Sequence, residues 1–256
     1  MAIKCYKVDT TENGIDIGIM REIVYLKSLP PHVNIIHLTE VEWIGNRLRV
    51  AMPLYETDLN KYVKKKLNCR PMPGAQVVEF SRKILHGLHH LHQHGVFIRD
   101  LKPANILLNL ATGDVVLCDF SLASTWCSKL DHSQTIQTLW YRAIEVLLGL
   151  SKYDTAVDMW SFGCVLGFML KGHDVLPGDS DYGQIMLTFE MLGTPTEATW
   201  PGLESLPYFS REWPKFDVPE RLPVKFPLPA LEKLFRASLQ MYPKERCTAQ
   251  QALEMI

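Results

Sequence analysis

The stretch VFIRDLKPANILL (96–108), with VLCDFS following at 116–121, constrains this chain more than any other feature. Two apolar, strand-like runs flank a dense polar insert of Arg99, Asp100, Lys102 and Asn105. The chain places a carboxylate, an ammonium two residues later and an amide three residues after that, then returns at once to strand-like residues. Nineteen residues after Asp100, at the end of a second short apolar run, stands another carboxylate, Asp119. Ile98, an uncharged branched residue, directly precedes Arg99.

The surrounding sequence reads as strands first and helices later. MAIKCYKV alternates like a short strand, and a turn follows at Glu12-Asn13-Gly14. Ile19, Ile23 and Leu26 step at helical spacing in 16–29, and Pro30-Pro31 stop that helix. The run 35–52 reads as two strands joined at Gly45-Asn46, a hairpin signal. DLNKYVKKKL looks like a short polar helix, its lysines a solvated face. Val77, Phe80, Ile84, Leu88 and Leu91 mark a helix over 75–94 that Gly95 ends. Residues 106–108 and 115–118 read as short strands around a turn at 111–114. From Asp119 to about Gln137 the chain reads as irregular, and beyond it as helices and loops. The fold class expected is α+β in two parts.

Composition narrows the functional classes. With 256 residues, 47% of them hydrophobic, and a net charge of −1, the chain has the make-up of a soluble globular protein. The charge balance gives no support for a nucleic-acid or anionic-membrane surface. The most apolar run, 156–170, contains Asp158, falls short of a bilayer span and reads as a helix buried on all sides. Six scattered cysteines without a C-x-x-C indicate a reduced compartment, and Lys4, Lys7 and Asp9 interrupt any leader-like opening. The expected location is intracellular, nucleus and cytoplasm both open.

Phosphoryl transfer from ATP needs a carboxylate at the acceptor hydroxyl, oxygen ligands for Mg²⁺ and a cation on the phosphates. Asp100, Asn105, Asp119 and Lys102 supply these types, Lys4 stands on the first strand, and Glu22, eighteen residues on, can hold it as an ion pair. In this order the set resembles the protein-kinase signature. TLWYRAIEVLLG (138–149), 153–170, 177–203 and 7–29 narrow the resemblance to the cyclin-dependent kinases, over nearly the whole chain. The resemblance implies a two-lobed kinase fold, with a small mainly β lobe over 1–54 and a large mainly α lobe over 55–256.

It also implies ATP and Mg²⁺ as cofactors, a protein serine or threonine as substrate with proline after the acceptor, and a cyclin-like activating subunit. Nucleic acid and membrane are not implied. By the same resemblance Asp100 is the base, Lys102 steadies the transferring group, and Asn105 and Asp119 hold magnesium. Lys4 meets the phosphates and pairs with Glu22. Met52 is the gatekeeper, Pro53, Leu54 and Tyr55 form the hinge, and Asp58 lies at the ribose rim. Ser133 is the phosphosite, with Arg21 and Arg99 as its clamp, and Arg142 shapes the proline pocket. Glu145 pairs with Arg246, and Asp158 braces the catalytic loop.

The chain departs from that pattern in several places. The family carries two strands and a glycine-rich loop ahead of the strand lysine; here Lys4 lies three residues from Met1, and no G-x-G-x-x-G occurs. The sequence stops at Ile256, inside what the family builds as its last helix, so a chain clipped at both ends is the expectation. Ile98 replaces a histidine, keeping apolar packing but losing a bond worth ~1 kcal/mol. Ser121 replaces the glycine of D-F-G, where a glycine-only geometry would strain it. Ser124 replaces a third clamp arginine, and Ile144 a proline. Histidines 86, 89, 90, 92 and 94 admit a zinc reading, but a helix face beside the catalytic loop accounts for them better. Two functional readings stay open: an active kinase, and a kinase-like scaffold that holds a partner with weak or no phosphotransfer.

Overall fold

The computed structural model describes residues 1–7, 15–125, 137–220 and 222–256. The turn expected at Glu12–Gly14 and the site Ser133 lie outside the described residues. The opening alternation forms strand β1 (Ala2–Lys7). The predicted hairpin forms β2 (Glu40–Ile44) and β3 (Arg47–Met52). Gly45 at its tip takes φ +59°, which a residue without Cβ adopts at no steric cost. These strands make one antiparallel sheet in the order β1-β3-β2, with Lys4 opposite Val50 and Ala2 opposite Met52.

Helix α1 (Ile17–Ser28) is tied to this sheet by Glu22, which accepts Lys4 Nζ of β1 at 2.8 Å. Asp16 caps it, its Oδ1 accepting the N–H groups of Gly18 at 2.7 Å and Ile19 at 3.3 Å. The helix ends before Pro30, as its sequence requires. Glu22 and Ile23 are buried, while Ile17, Met20 and Val24 line the opposite, exposed face.

The loop after α1 ties the sheet region to the rest of the molecule. Strand β4 (Thr57–Asp58) pairs with β6 (Ile106–Asn109), which pairs with β7 (Asp114–Leu117). Asn34 accepts the Leu117 N–H at 2.9 Å and donates its side-chain amide to Val115 O at 2.9 Å, and Ile36 N–H bonds Leu117 O at 2.9 Å. β7 is therefore held from both sides, and its next residues are Cys118 and Asp119.

After Asp58 the short helix α2 (Leu59–Lys61) widens into a π-turn over Tyr62–Lys66, closed by Leu67 N–H to Tyr62 O. The sequence pattern over 58–67 has helical character but no mark of that wider ring. Helix α3 (Gly74–Gln93) buries every residue of the predicted apolar stripe. Each such side chain contributes ~1.5–3 kcal/mol by leaving water. Gly87 lets this helix approach closely: a Cβ there would lie 2.9 Å from Leu117 Cδ1 and 3.1 Å from Asn34 O.

One expectation needs correction. The segment after Asp119 is not wholly irregular: β8 (Ser124–Thr125) pairs with β5 (Val96–Phe97). Two-residue strands carry no readable period, so their pairing is decided by the tertiary fold. Helix α4 (Ile144–Leu147) begins at Ile144, a first-turn position that proline also suits because its N–H has no helical partner.

Helix α5 (Ala156–Lys171) is buried without a break from Val157 to Leu170, as its composition indicates. Helices α6 (Asp181–Leu192), α7 (Pro229–Ser238) and α8 (Ala249–Leu253) complete the larger helical part. Glu145 and Arg246 form a fully buried two-pronged pair at 2.7 and 2.9 Å, and the guanidinium also lies 5.0 Å from the centre of the Trp160 ring. Among the described residues no helix is long and apolar enough to cross a membrane. The whole is a mixed α+β fold with a small sheet region and a larger helical part.

Candidate active site

The loop at 98–105 is built on one buried carboxylate. Asp158, from the first turn of α5, accepts Arg99 N–H on Oδ1 at 2.9 Å and Ile98 N–H on Oδ2 at 2.9 Å. His92 Nε2 bonds the same Oδ2 at 2.9 Å. These bonds hold Arg99 at φ +61°, a left-handed conformation that costs a residue with a Cβ ~1–3 kcal/mol. The Ile98 side chain is buried in the same core as Phe120, and its N–H serves the brace. The expected support from beneath is what Asp158 provides.

Above this brace Asp100 gathers four donors. Oδ1 accepts the Thr138 N–H at 3.1 Å and the Thr138 hydroxyl at 3.0 Å. Oδ2 accepts Lys102 Nζ at 2.7 Å and Asn105 Nδ2 at 3.1 Å. Lys102 also donates to Thr138 Oγ1 at 2.9 Å. Thr138 is absent from the candidates drawn from sequence; its position opening TLWYR was the available signal, but 38 residues separate it from Asp100. Asn105 Nδ2 also bonds the Asp100 carbonyl at 3.0 Å, which leaves its Oδ1 as the ligating atom of the amide.

Asp119 follows β7 at φ +65°. Its Oδ1 accepts the Ser121 hydroxyl at 2.6 Å and the Ser121 N–H at 3.3 Å, while Oδ2 accepts no hydrogen bond among the described residues. The strain expected at Ser121 is not found. The left-handed turn falls on Asp119, and Ser121 is not among the positive-φ residues. Arg21 Nη1 donates to Ser121 O at 2.7 Å, and Arg99 Nε to Leu122 O at 2.6 Å. The two arginines read as a phosphate clamp thus converge on neighbouring carbonyls.

Lys4 and Glu22 meet at 2.8 and 3.2 Å, the lysine side chain 43% exposed and the carboxylate 5%. Burial pulls the Lys4 pKa down, but the bond to Glu22 and its charge outweigh that and hold it above the ordinary 10.5. Lys4 is therefore a cation, and Asp119 is close enough to add to that stabilisation. Cys118 lies within the same field: burial and then the Asp119 charge push its thiol up to about 12, against the pull of Lys4. It is a neutral thiol, not a nucleophile.

The remaining candidates are distributed around this centre. Met52 is buried at the end of β3. Leu54, in the following connection, turns its side chain outward at 69% exposure. Tyr55 is half-buried, and burial raises its phenol pKa. Asp58 caps α2, with Oδ1 on Lys61 N–H at 2.8 Å and Oδ2 on Lys61 Nζ at 2.8 Å. Arg142 donates Nη1 to Asp181 at 2.8 Å and Nη2 to the Gln137 carbonyl at 3.1 Å. Gln137, also missed in sequence, takes φ +62° and is anchored by its side chain to Ser161 Oγ at 2.7 Å and Ala143 N–H at 3.0 Å. The histidines serve the helix face: His92 on Asp158, and His90 stacked on His32 and tilted against His94.

The oxygens left by this network, Asn105 Oδ1 and Asp119 Oδ2, are the hard donors that Mg²⁺ takes, and the Lys4 cation suits a phosphate. A buried carboxylate, a lysine bonded to it and a second carboxylate at the end of a hairpin are the types of group that phosphoryl transfer needs, here on a mixed α+β fold. A family model described as the protein kinase domain matches residues 1–255. The chain belongs to the protein kinase domain family, a family of ATP-dependent phosphotransferases that act on proteins.

Proposed function

We propose that the chain is a cyclin-dependent-kinase-like protein serine/threonine kinase acting with ATP and Mg²⁺ on sites followed by proline. The observation that carries this reading is the Asp100–Lys102–Thr138 network. A carboxylate offers about four lone-pair sites, and here all are taken. An incoming hydroxyl must displace one donor, and the partly exposed Lys102 is the mobile one. Released from Oδ2, its ammonium is in reach of the transferring group while Asp100 accepts the hydroxyl proton. Thr138 holds Oδ1 through that exchange, so the carboxylate keeps its orientation. Asn105 and Asp119 would hold Mg²⁺, which would neutralise charge on the phosphates. Lys4, fixed by Glu22, orients them.

The proline preference rests on Gln137, whose carbonyl already accepts the Arg142 guanidinium, so a substrate N–H would have to compete for it. The partner reading rests on the apolar outer face of α1, Ile17, Met20 and Val24, a surface suited to a cyclin-like subunit. The scaffold reading finds support in Ser121, which occupies one oxygen of Asp119.

The test is transfer of labelled γ-phosphate to paired Ser-Pro and Ser-Ala peptides. Wild type is expected to label the first in preference, and Asp100→Asn to lose ~10²–10⁴-fold. Nucleotide binding without transfer in wild type would replace this reading with the scaffold.

A further inference from the structure

We propose that Ser121 is a positioning residue that makes Asp119 a one-oxygen ligand and so favours Mg²⁺ over Ca²⁺ at this site. The proposal rests on the kinase reading, because it needs a nucleotide-associated cation at Asp119. Its basis is the 2.6 Å bond from the Ser121 hydroxyl to Asp119 Oδ1, supported by the Ser121 N–H at 3.3 Å on the same oxygen. Bonds to an ionised acceptor are short and strong, so that oxygen is held. Oδ2 has no competing donor among the described residues.

The serine is itself fixed. Its carbonyl takes Arg21 Nη1 at 2.7 Å. Gly18 of α1 lies beside it: a Cβ there would be in ordinary contact at 3.4 Å from both Ser121 Cβ and Ser121 O. The hydroxyl is held on the carboxylate while the backbone of the serine is held by Arg21 of α1.

The chemical consequence follows from how the two cations use carboxylates. Ca²⁺ takes about six to eight oxygens and readily binds both oxygens of one carboxylate, whereas Mg²⁺ keeps a tight octahedron of single oxygens. A carboxylate whose Oδ1 is engaged by a hydroxyl offers one oxygen. That suits Mg²⁺ and removes a mode Ca²⁺ exploits. A glycine or alanine at 121 would leave only the long backbone bond at 3.3 Å on Oδ1 and so open that oxygen to the larger ion.

The experiment titrates Mg²⁺ and Ca²⁺ separately while following binding of a fluorescent ATP analogue to the 256-residue chain, in wild type, Ser121→Ala, Ser121→Gly and Ser121→Thr. Removing the hydroxyl is expected to tighten Ca²⁺-dependent binding about 10-fold relative to Mg²⁺, the size of a charge-assisted bond. Threonine, which keeps the hydroxyl, is expected to restore the wild-type ratio. An unchanged Ca²⁺-to-Mg²⁺ ratio in both the alanine and glycine variants overturns the proposal. So does equal weakening of both cations, which marks a structural role only. Wild type that binds the analogue with neither cation overturns the kinase reading itself, and this proposal with it. Melting curves identify a variant that does not fold, and the other variant then decides.

Discussion

The Gln137 carbonyl, turned by a left-handed backbone at φ +62°, accepts the Arg142 guanidinium at 3.1 Å. Gln137 is held there by its buried side chain on Ser161 and Ala143, so helix α5 and the segment leading into α4 together set the conformation. A substrate residue with an N–H would bring a donor to an acceptor already in use, and proline has none to bring.

Arg142→Ala is expected to relax this selection. An unsatisfied donor costs ~1–3 kcal/mol, which corresponds to roughly 5- to 100-fold discrimination. The ratio of kcat/KM for Ser-Pro over Ser-Ala peptides should fall several-fold in the variant, mostly through faster use of Ser-Ala. A ratio that stays at the wild-type value would remove Arg142 from specificity.

Thr138→Val removes the hydroxyl that donates to Asp100 and accepts Lys102 while keeping the backbone bond. The expected result is a kcat lower by ~10–100-fold with KM for ATP near wild type, since this is less than full loss of a general base. Thr138→Ser should recover most of the rate. Steady-state kinetics with ATP varied at saturating peptide separates the two parameters.

Asp158→Ala leaves the Ile98 and Arg99 N–H groups and His92 without their acceptor in a buried site. At ~1–3 kcal/mol for each orphaned donor, a loss of ~3 kcal/mol or more is expected. Urea unfolding followed by tryptophan fluorescence measures it. A loss below 1 kcal/mol, on the order of an ordinary surface change, would show that the loop does not depend on this brace.

The histidine ladder His32–His90–His94 makes stability depend on pH. Burial first, then the neighbouring charges of His90 and His86, lower the His32 pKa; His90 is lowered by burial, with His94 and His89 adding to it and the Pro30 carbonyl opposing. Below the unfolded value near 6.5 the unfolded chain binds more protons than the folded one. The stabilisation is therefore complete above about pH 6.5 and is lost as pH falls through that value. Protonating His32 also places a hydrogen on Nδ1, which accepts the Asn34 N–H at 3.2 Å. Melting temperature should drop between pH 7.5 and 5.5, and His90→Phe, which keeps a ring between its neighbours, should flatten the drop. An identical pH slope in the variant would exclude the ladder as its source.

Local physics made much of this molecule legible from its sequence. The apolar stride of α3, the proline stop of α1, the Gly45 turn and the unbroken apolar run of α5 each follow from neighbours in the chain. So do Asp100, Lys102, Asn105 and Asp119 as chemistry-bearing residues, because a short polar insert between strands concentrates them within one loop and one hairpin.

The tertiary structure alone decided how those groups are held. Thr138 reaches Asp100 across 38 residues, Asp158 reaches Arg99 across 59, and Arg21 reaches Ser121 across 100. The left-handed backbones of Arg99 and Gln137 have no local signature in the sequence. Arg99 and Gln137 are sustained by bonds from α5, far away in the chain, and a hydrogen bond between distant segments leaves no periodicity in either of them. The sequence by itself determined which residues are the candidates for the chemistry. The packing of α5, α1 and β7 around the loop determined their geometry, because only there are the buried carboxylates and carbonyls met by their donors.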